Sequence, residues 1–239
     1  MDLQPVDYQV NGKPYTGFLA DGSGGKKTPG VLVAHEGGGM TEHPKDRARM
    51  LAELGYVAFA MDTFGEPVTE MARAQQILAG LMADPDELRA RVTTAFELLK
   101  RQPNVDPSRM AAIGFCFGGT TVLELARSGA EVACVVGFHS GLTPARPAAP
   151  GAIKAKVLVS MGTADPIIDA AQRDAFAAEM TAAGADWQMQ VLGGVGHSFT
   201  NPGIDALNLP GFKYDAVADR RSWAAMRELF DEALGPVSA

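Results

Sequence analysis

The apolar run Met110 to Ile113 ends in Gly114-Phe115-Cys116-Phe117-Gly118-Gly119, and Thr120 to Arg127 then continues with a helical pattern. A buried strand that turns this sharply into a helix needs glycines on both sides of the turn. The residue between them is lifted above the end of a sheet, at a helix N-terminus. That residue is Cys116. The segment reads as a nucleophile elbow with cysteine in place of serine, and a buried structural cysteine is the competing reading of so short a motif.

The rest of the chain repeats the strand-to-helix alternation. Two alternating segments flank Asn11-Gly12 and predict an antiparallel hairpin at the start. Buried strands are predicted at 30–34, 56–61, 132–137, 156–161 and 186–192. Helices are expected at 43–54 with Pro44 in the first turn, at 70–83, at 85–101 behind Asp84-Pro85, at 167–182 and at 215–234. Strands alternating with helices predict an α/β fold: a mostly parallel central sheet with helices on both faces. One domain over 1–239 is expected from the length of 239 residues and the 46% hydrophobic content.

Composition narrows the partners. A net charge of −7, with no basic cluster, argues against nucleic acid and anionic membranes. The first twenty residues contain no secretory apolar core, and no apolar run is long enough to span a bilayer, so a cytoplasmic protein is expected. Cys116 and Cys134 are the 2 cysteines. One falls at a turn and the other inside a strand, so they are not expected to pair, and with no Cys-x-x-Cys a zinc site is not expected either.

Two later residues complete a constellation with Cys116. Asp165 follows the strand 156–161 in Gly162-Thr163-Ala164-Asp165-Pro166, and His197 follows the last strand in Gly193-Gly194-Val195-Gly196-His197-Ser198-Phe199. The order nucleophile, acid, histidine is that of α/β-hydrolases. All three lie after strand ends, where open α/β sheets place their ligand crevice. His197 is the candidate base that activates the thiol, and Asp165 the acceptor that fixes its tautomer. An ordinary helix cap is the bland alternative for Asp165, with Asp169 in reserve. His43 reads as a helix-start residue, and His139 as either a pocket wall or filling. The Gly-rich turn after Val33-Ala34-His35-Glu36 offers the Gly37 N–H as one oxyanion donor and the elbow offers that of Phe117 as the other.

These motifs together resemble the dienelactone hydrolase family of α/β-hydrolases. The resemblance rests on the strand-His-Glu-Gly segment at 31–37, the Ala-Met-Asp-Thr-Phe run ending at Phe64, the elbow, the Asp165 loop and Gly196-His197-Ser198-Phe199. It implies that Cys116, Asp165 and His197 form a triad, and that Glu36 holds the resting thiol and takes its proton when substrate arrives. Dienelactone-cleaving members carry an arginine four residues beyond the catalytic histidine; this chain has Asn201 there. Without that charge-assisted contact a carboxylated lactone loses affinity.

The expected activity is therefore hydrolysis of small carboxylic esters or lactones through an acyl-thioester. No cofactor or metal is expected, and the protein is expected to be a monomer or homodimer. Phe64, His139, Phe199 and Asn201 are the candidate substrate contacts, and no long insertion after the elbow suggests an open site. The alternative is a redox or ligand-binding module built on the same reactive cysteine.

Overall fold

The structure, a computed structural model, describes residues 1–237. Eight strands form one sheet: β1 (Gln4–Val10), β2 (Lys13–Asp21), β3 (Thr28–Ala34), β4 (Val57–Met61), β5 (Val105–Phe115), β6 (Cys134–Phe138), β7 (Lys156–Gly162) and β8 (Asp186–Leu192). Their spatial order is β1-β2-β4-β3-β5-β6-β7-β8. The expected hairpin is present, with Asn11 and Gly12 at positive φ, and β2 then pairs antiparallel with β4. Every other pairing is parallel. The central strands β3, β4 and β6 are buried along their whole length, as strands covered on both faces must be.

Helices α1 (Glu42–Glu53) and α6 (Ala216–Leu234) cover one face; α3 (Pro85–Lys100), α4 (Phe117–Arg127) and α5 (Ala170–Ala182) cover the other. Helix α2 (Met71–Ala83) lies outside this layer, against α3. Right-handed crossovers put α1 and α4 on opposite faces, because the chain runs outward from β3 to β4 and then back across to β5. This reversal makes the carboxyl ends of β3 and β5 a topological switch point. The loops that follow them carry Glu36 and Cys116.

Several boundaries differ from the sequence expectation. β5 begins at Val105, because Val105 and Asp106 pair with Thr28 and Pro29 before a register shift breaks the ladder. The polar Asp106 to Arg109 stretch hides this from an apolar pattern. Helix α4 starts at Phe117, directly after the nucleophile candidate, and α5 starts at Ala170 because Asp169 caps it by accepting from the Gln172 N–H at 2.8 Å. A short 3-10 helix, Pro202–Leu207, was not anticipated.

Candidate active site

Cys116 stands between β5 and α4 with φ 52° and ψ −116°, a conformation that side-chain-bearing residues rarely adopt. Its own N–H is tied to the Phe138 carbonyl at 3.0 Å. The glycines around it are required by close approach. A Cβ on Gly114 would lie 2.0 Å from the Gly118 carbonyl oxygen, and one on Gly118 would lie 2.2 Å from that of Ala34. The first turn of α4 is thus pressed against the end of β3.

Asp165 and His197 arrive on two loops stitched together by backbone bonds: Thr163 N–H to Leu192 O at 2.9 Å and Ala164 N–H to Val195 O at 3.0 Å. Asp165 Oδ1 accepts from the Ile167 and Ile168 N–H groups at 2.8 and 3.1 Å, which leaves Oδ2 to receive His197 Nδ1–H at 2.7 Å. The second ring nitrogen, Nε2, is buried and has no completed hydrogen bond; it is the one turned to Cys116. Burial works against protonation of this imidazole. The charge of Cys116 and the Asp165 hydrogen bond outweigh it and raise the His197 pKa from 6.5 to about 10. A ring oriented in this way has one nitrogen committed to a carboxylate and the other able to exchange a proton with a thiol.

Glu36 sits in a separate buried network. Its Oε2 accepts from Asn201 Nδ2 and lies 3.4 Å from His43 Nδ1, while Oε1 is buried without a hydrogen-bond donor, 4.0 Å from His139 Nε2. Burial raises the Glu36 pKa, but hydrogen bonding by His43 and the charge of that ring bring it down from 4.5 to about 2. His43, taken from the sequence as a helix-start residue, is therefore part of the site's supporting structure. It is joined to Arg47, which salt-bridges Asp219 at 2.8 Å, and to the Thr200 carbonyl at 3.1 Å. Neither Arg47 nor Thr200 was singled out in the sequence. The i, i+4 spacing of His43 and Arg47 was the available signal.

The other candidates fall in distinct places. His139 has φ 41°, is fully buried, and bonds through Nε2 to Thr200 Oγ1 at 2.8 Å. Burial, then the charge of His197, hold it well below its usual pKa, so it is neutral beside the imidazolium. Phe199 is fully buried and packs edge-on to His139, behind the site. Asn201 spends both ends of its amide, since Oδ1 also accepts from the Gly203 N–H at 2.9 Å. Phe64 and Phe117 join Cys116 in one apolar cluster.

That cluster contains an element the sequence reading left out of the site. Ile77, Leu78, Leu81 and Met82 of α2 pack with Cys116, Phe64 and Phe117, and a Cβ on Gly37 would lie 3.3 Å from Leu78 Cδ1. Helix α2 thus borders the apolar cluster to which Cys116 belongs. Among the described residues no His/Cys/Asp/Glu group could hold a metal ion, and no helix is long and apolar enough to cross a membrane.

The family model described as "Dienelactone hydrolase family" matches residues 16–234. The chain belongs to that family. Two solved structures are similar to this family member over nearly its full length. The chain named m3DLH is 41% identical with a TM-score of 0.92, the alignment covering 98% of each chain. A dienelactone hydrolase-like promiscuous phosphotriesterase from metagenomic libraries is 40% identical with a TM-score of 0.91, covering 98% of this chain and 99% of that one. A Bradyrhizobium protein named probable 2-oxo-3-(5-oxofuran-2-ylidene)propanoate lactonase is 28% identical, over 91% of this chain and 89% of its own. The protein is thus a dienelactone hydrolase-like hydrolase with the α/β-hydrolase fold, and its family implies a small-molecule substrate.

Proposed function

We propose that this dienelactone hydrolase family member cleaves small carboxylic esters or lactones by nucleophilic catalysis at Cys116. The observation that carries the reading is the His197–Asp165 pair at 2.7 Å, with the free imidazole nitrogen turned to a cysteine held at φ 52°. Cys116 gives its thiol proton to His197 and its sulfur attacks the carbonyl carbon, and the carbonyl electron pair moves onto oxygen, which the Gly37 and Phe117 N–H groups stabilise. The oxyanion collapses, the bond to the leaving oxygen breaks, and His197 gives that oxygen its proton. Water then attacks the thioester as His197 takes a proton from it, and the Cys116 thiolate leaves. Asp165 keeps the ring in the required tautomer throughout. Glu36, which the family resemblance makes the acceptor of the resting thiol's proton, bonds Asn201 beside His43 rather than Cys116, and in this reading it supplies a fixed negative charge behind the Gly37 loop.

Leaving-group chemistry limits the substrates. In the tetrahedral intermediate a thiolate departs more readily than an amide nitrogen or a simple alkoxide, so attack on such substrates reverts. Aryl esters, enol esters and strained lactones expel stable anions and go forward. The test is steady-state hydrolysis of p-nitrophenyl acetate by the wild type and Cys116→Ala, with mass spectrometry of the acid-quenched enzyme. Turnover and an acetyl group on the Cys116 peptide are expected in the wild type and neither in the variant. Equal rates in both proteins would refute the mechanism.

The phosphotriesterase relative supports a second reading of the same site, attack of Cys116 on the phosphorus of a neutral triester. Paraoxon hydrolysis that disappears in Cys116→Ala is its test. A redox module is less well supported, because Cys134 is fully buried in β6 and burial pushes its thiol pKa up, leaving it unsuited to act as a resolving partner.

A further inference from the structure

The surroundings of Cys116 combine apolar side chains of α2 with two buried carboxylates. Leu78, Ile77 and Met82 are half-buried on the inner side of α2, and with Phe64 and Phe117 they form the cluster that contains Cys116. Behind it lie the carboxylates of Glu36 and Asp165, the first beside His43 and the second bonded to His197. Glu36 Oε1 is buried 4.0 Å from His139 Nε2.

The cations on α1, α2, α3 and the segment after β6 are paired, whereas Lys213, whose backbone N–H bonds the His197 carbonyl, is exposed. Arg73 of α2 pairs with Glu66 on the exposed side of the segment. Arg91 is held by Glu87 and the Thr63 carbonyl, each at 2.8 Å. Arg89 is bound to buried Glu124, and Arg146 to Asp86. On α1, Arg47 is paired with Asp219 and Lys45 with Glu42. Asn201, the other polar group near Glu36, gives an amide N–H to that carboxylate and accepts the Gly203 N–H through Oδ1.

Resting on the proposed ester hydrolysis, we infer that the substrate's acyl portion is uncharged and apolar, and that Leu78 is a specificity-determining residue that holds it against Phe64 and Phe117. A carboxylate held against the α2 side chains would lose its hydration among apolar groups, and would lie in the field of Glu36 and Asp165. An alkyl chain gains by displacing water from these side chains.

The matched probes are p-nitrophenyl butyrate and p-nitrophenyl hemisuccinate, which differ only in a terminal methyl against a carboxylate. After subtraction of spontaneous hydrolysis, kcat/KM for the butyrate should exceed that for the hemisuccinate by about tenfold or more. Leu78→Arg supplies a cation on α2 and should narrow the ratio by about tenfold. Leu207→Arg, at an exposed position on the 3-10 helix, should leave the ratio as in the wild type. A wild-type ratio near unity overturns the inferred substrate class without touching the mechanism, and requires no variant to fold. A ratio moved no further by Leu78→Arg than by Leu207→Arg overturns the role of Leu78. Hydrolysis of either probe that persists in Cys116→Ala would instead refute the catalytic reading beneath both.

Discussion

His197 Nδ1 lies 2.7 Å from Asp165 Oδ2, a residue 32 positions earlier, whereas Asp169 spends its carboxylate on the N-terminus of α5. The two acids are only a few residues apart in sequence, and the structure gives them different work. Asp165→Asn should lower kcat/KM for p-nitrophenyl acetate by about 10³- to 10⁴-fold, through loss of the tautomer and of imidazolium stabilisation. Asp169→Ala should leave the rate within about threefold and cost about 1 kcal/mol in urea unfolding, as loss of a helix cap does.

The pH dependence of stability should carry the mark of His197. Its folded pKa is raised from 6.5 to about 10, so its contribution is fully present below 6.5 and is lost as pH rises through about 10. Urea midpoints of the wild type and His197→Gln should therefore differ most below pH 6.5 and converge toward pH 10. A gap that widens with rising pH would contradict the assignment.

Glu36 has the opposite sign. Its pKa falls from 4.5 to about 2 on folding, so the stabilisation is present above 4.5 and is lost as pH falls through about 2. Glu36→Gln should flatten the acid limb of a thermal-denaturation profile between those values. His43→Ala should destabilise the protein by about 3 kcal/mol, since it leaves a buried carboxylate without its main partner.

The two cysteines should be chemically distinct. Cys116 is partly exposed at the elbow, while Cys134 is fully buried with its thiol pKa pushed up by burial. Iodoacetamide should label Cys116 alone in the native protein, and His197→Gln should slow that labelling by about tenfold at neutral pH. Peptide mapping after a timed quench reads both.

Gly118→Ala tests the close approach that places the elbow. The new methyl would lie 2.2 Å from the Ala34 carbonyl oxygen, a backbone atom that cannot swing aside. Loss of p-nitrophenyl acetate turnover together with destabilisation of about 3 kcal/mol is expected.

Strand and helix periodicity, the Asn11-Gly12 hairpin and the glycine-flanked cysteine are local features, and from them the sequence by itself determined a mostly parallel α/β sheet, while the motif order and the family resemblance pointed to the α/β-hydrolase fold. It also marked the three loops that bear Cys116, Asp165 and His197, because strand ends and turn glycines are written in neighbouring residues. Choosing between Asp165 and Asp169 needed the distance to His197, which depends on how β7 and β8 pair. His43 was legible only as part of a helix start, and its placement against Glu36 follows from packing α1 beside the loop after β3. Leu78 was invisible as a site residue for the same reason. An amphipathic helix announces that it has an apolar face, but only the tertiary structure decides what that face packs against, and here it joins the apolar cluster that contains the nucleophile candidate.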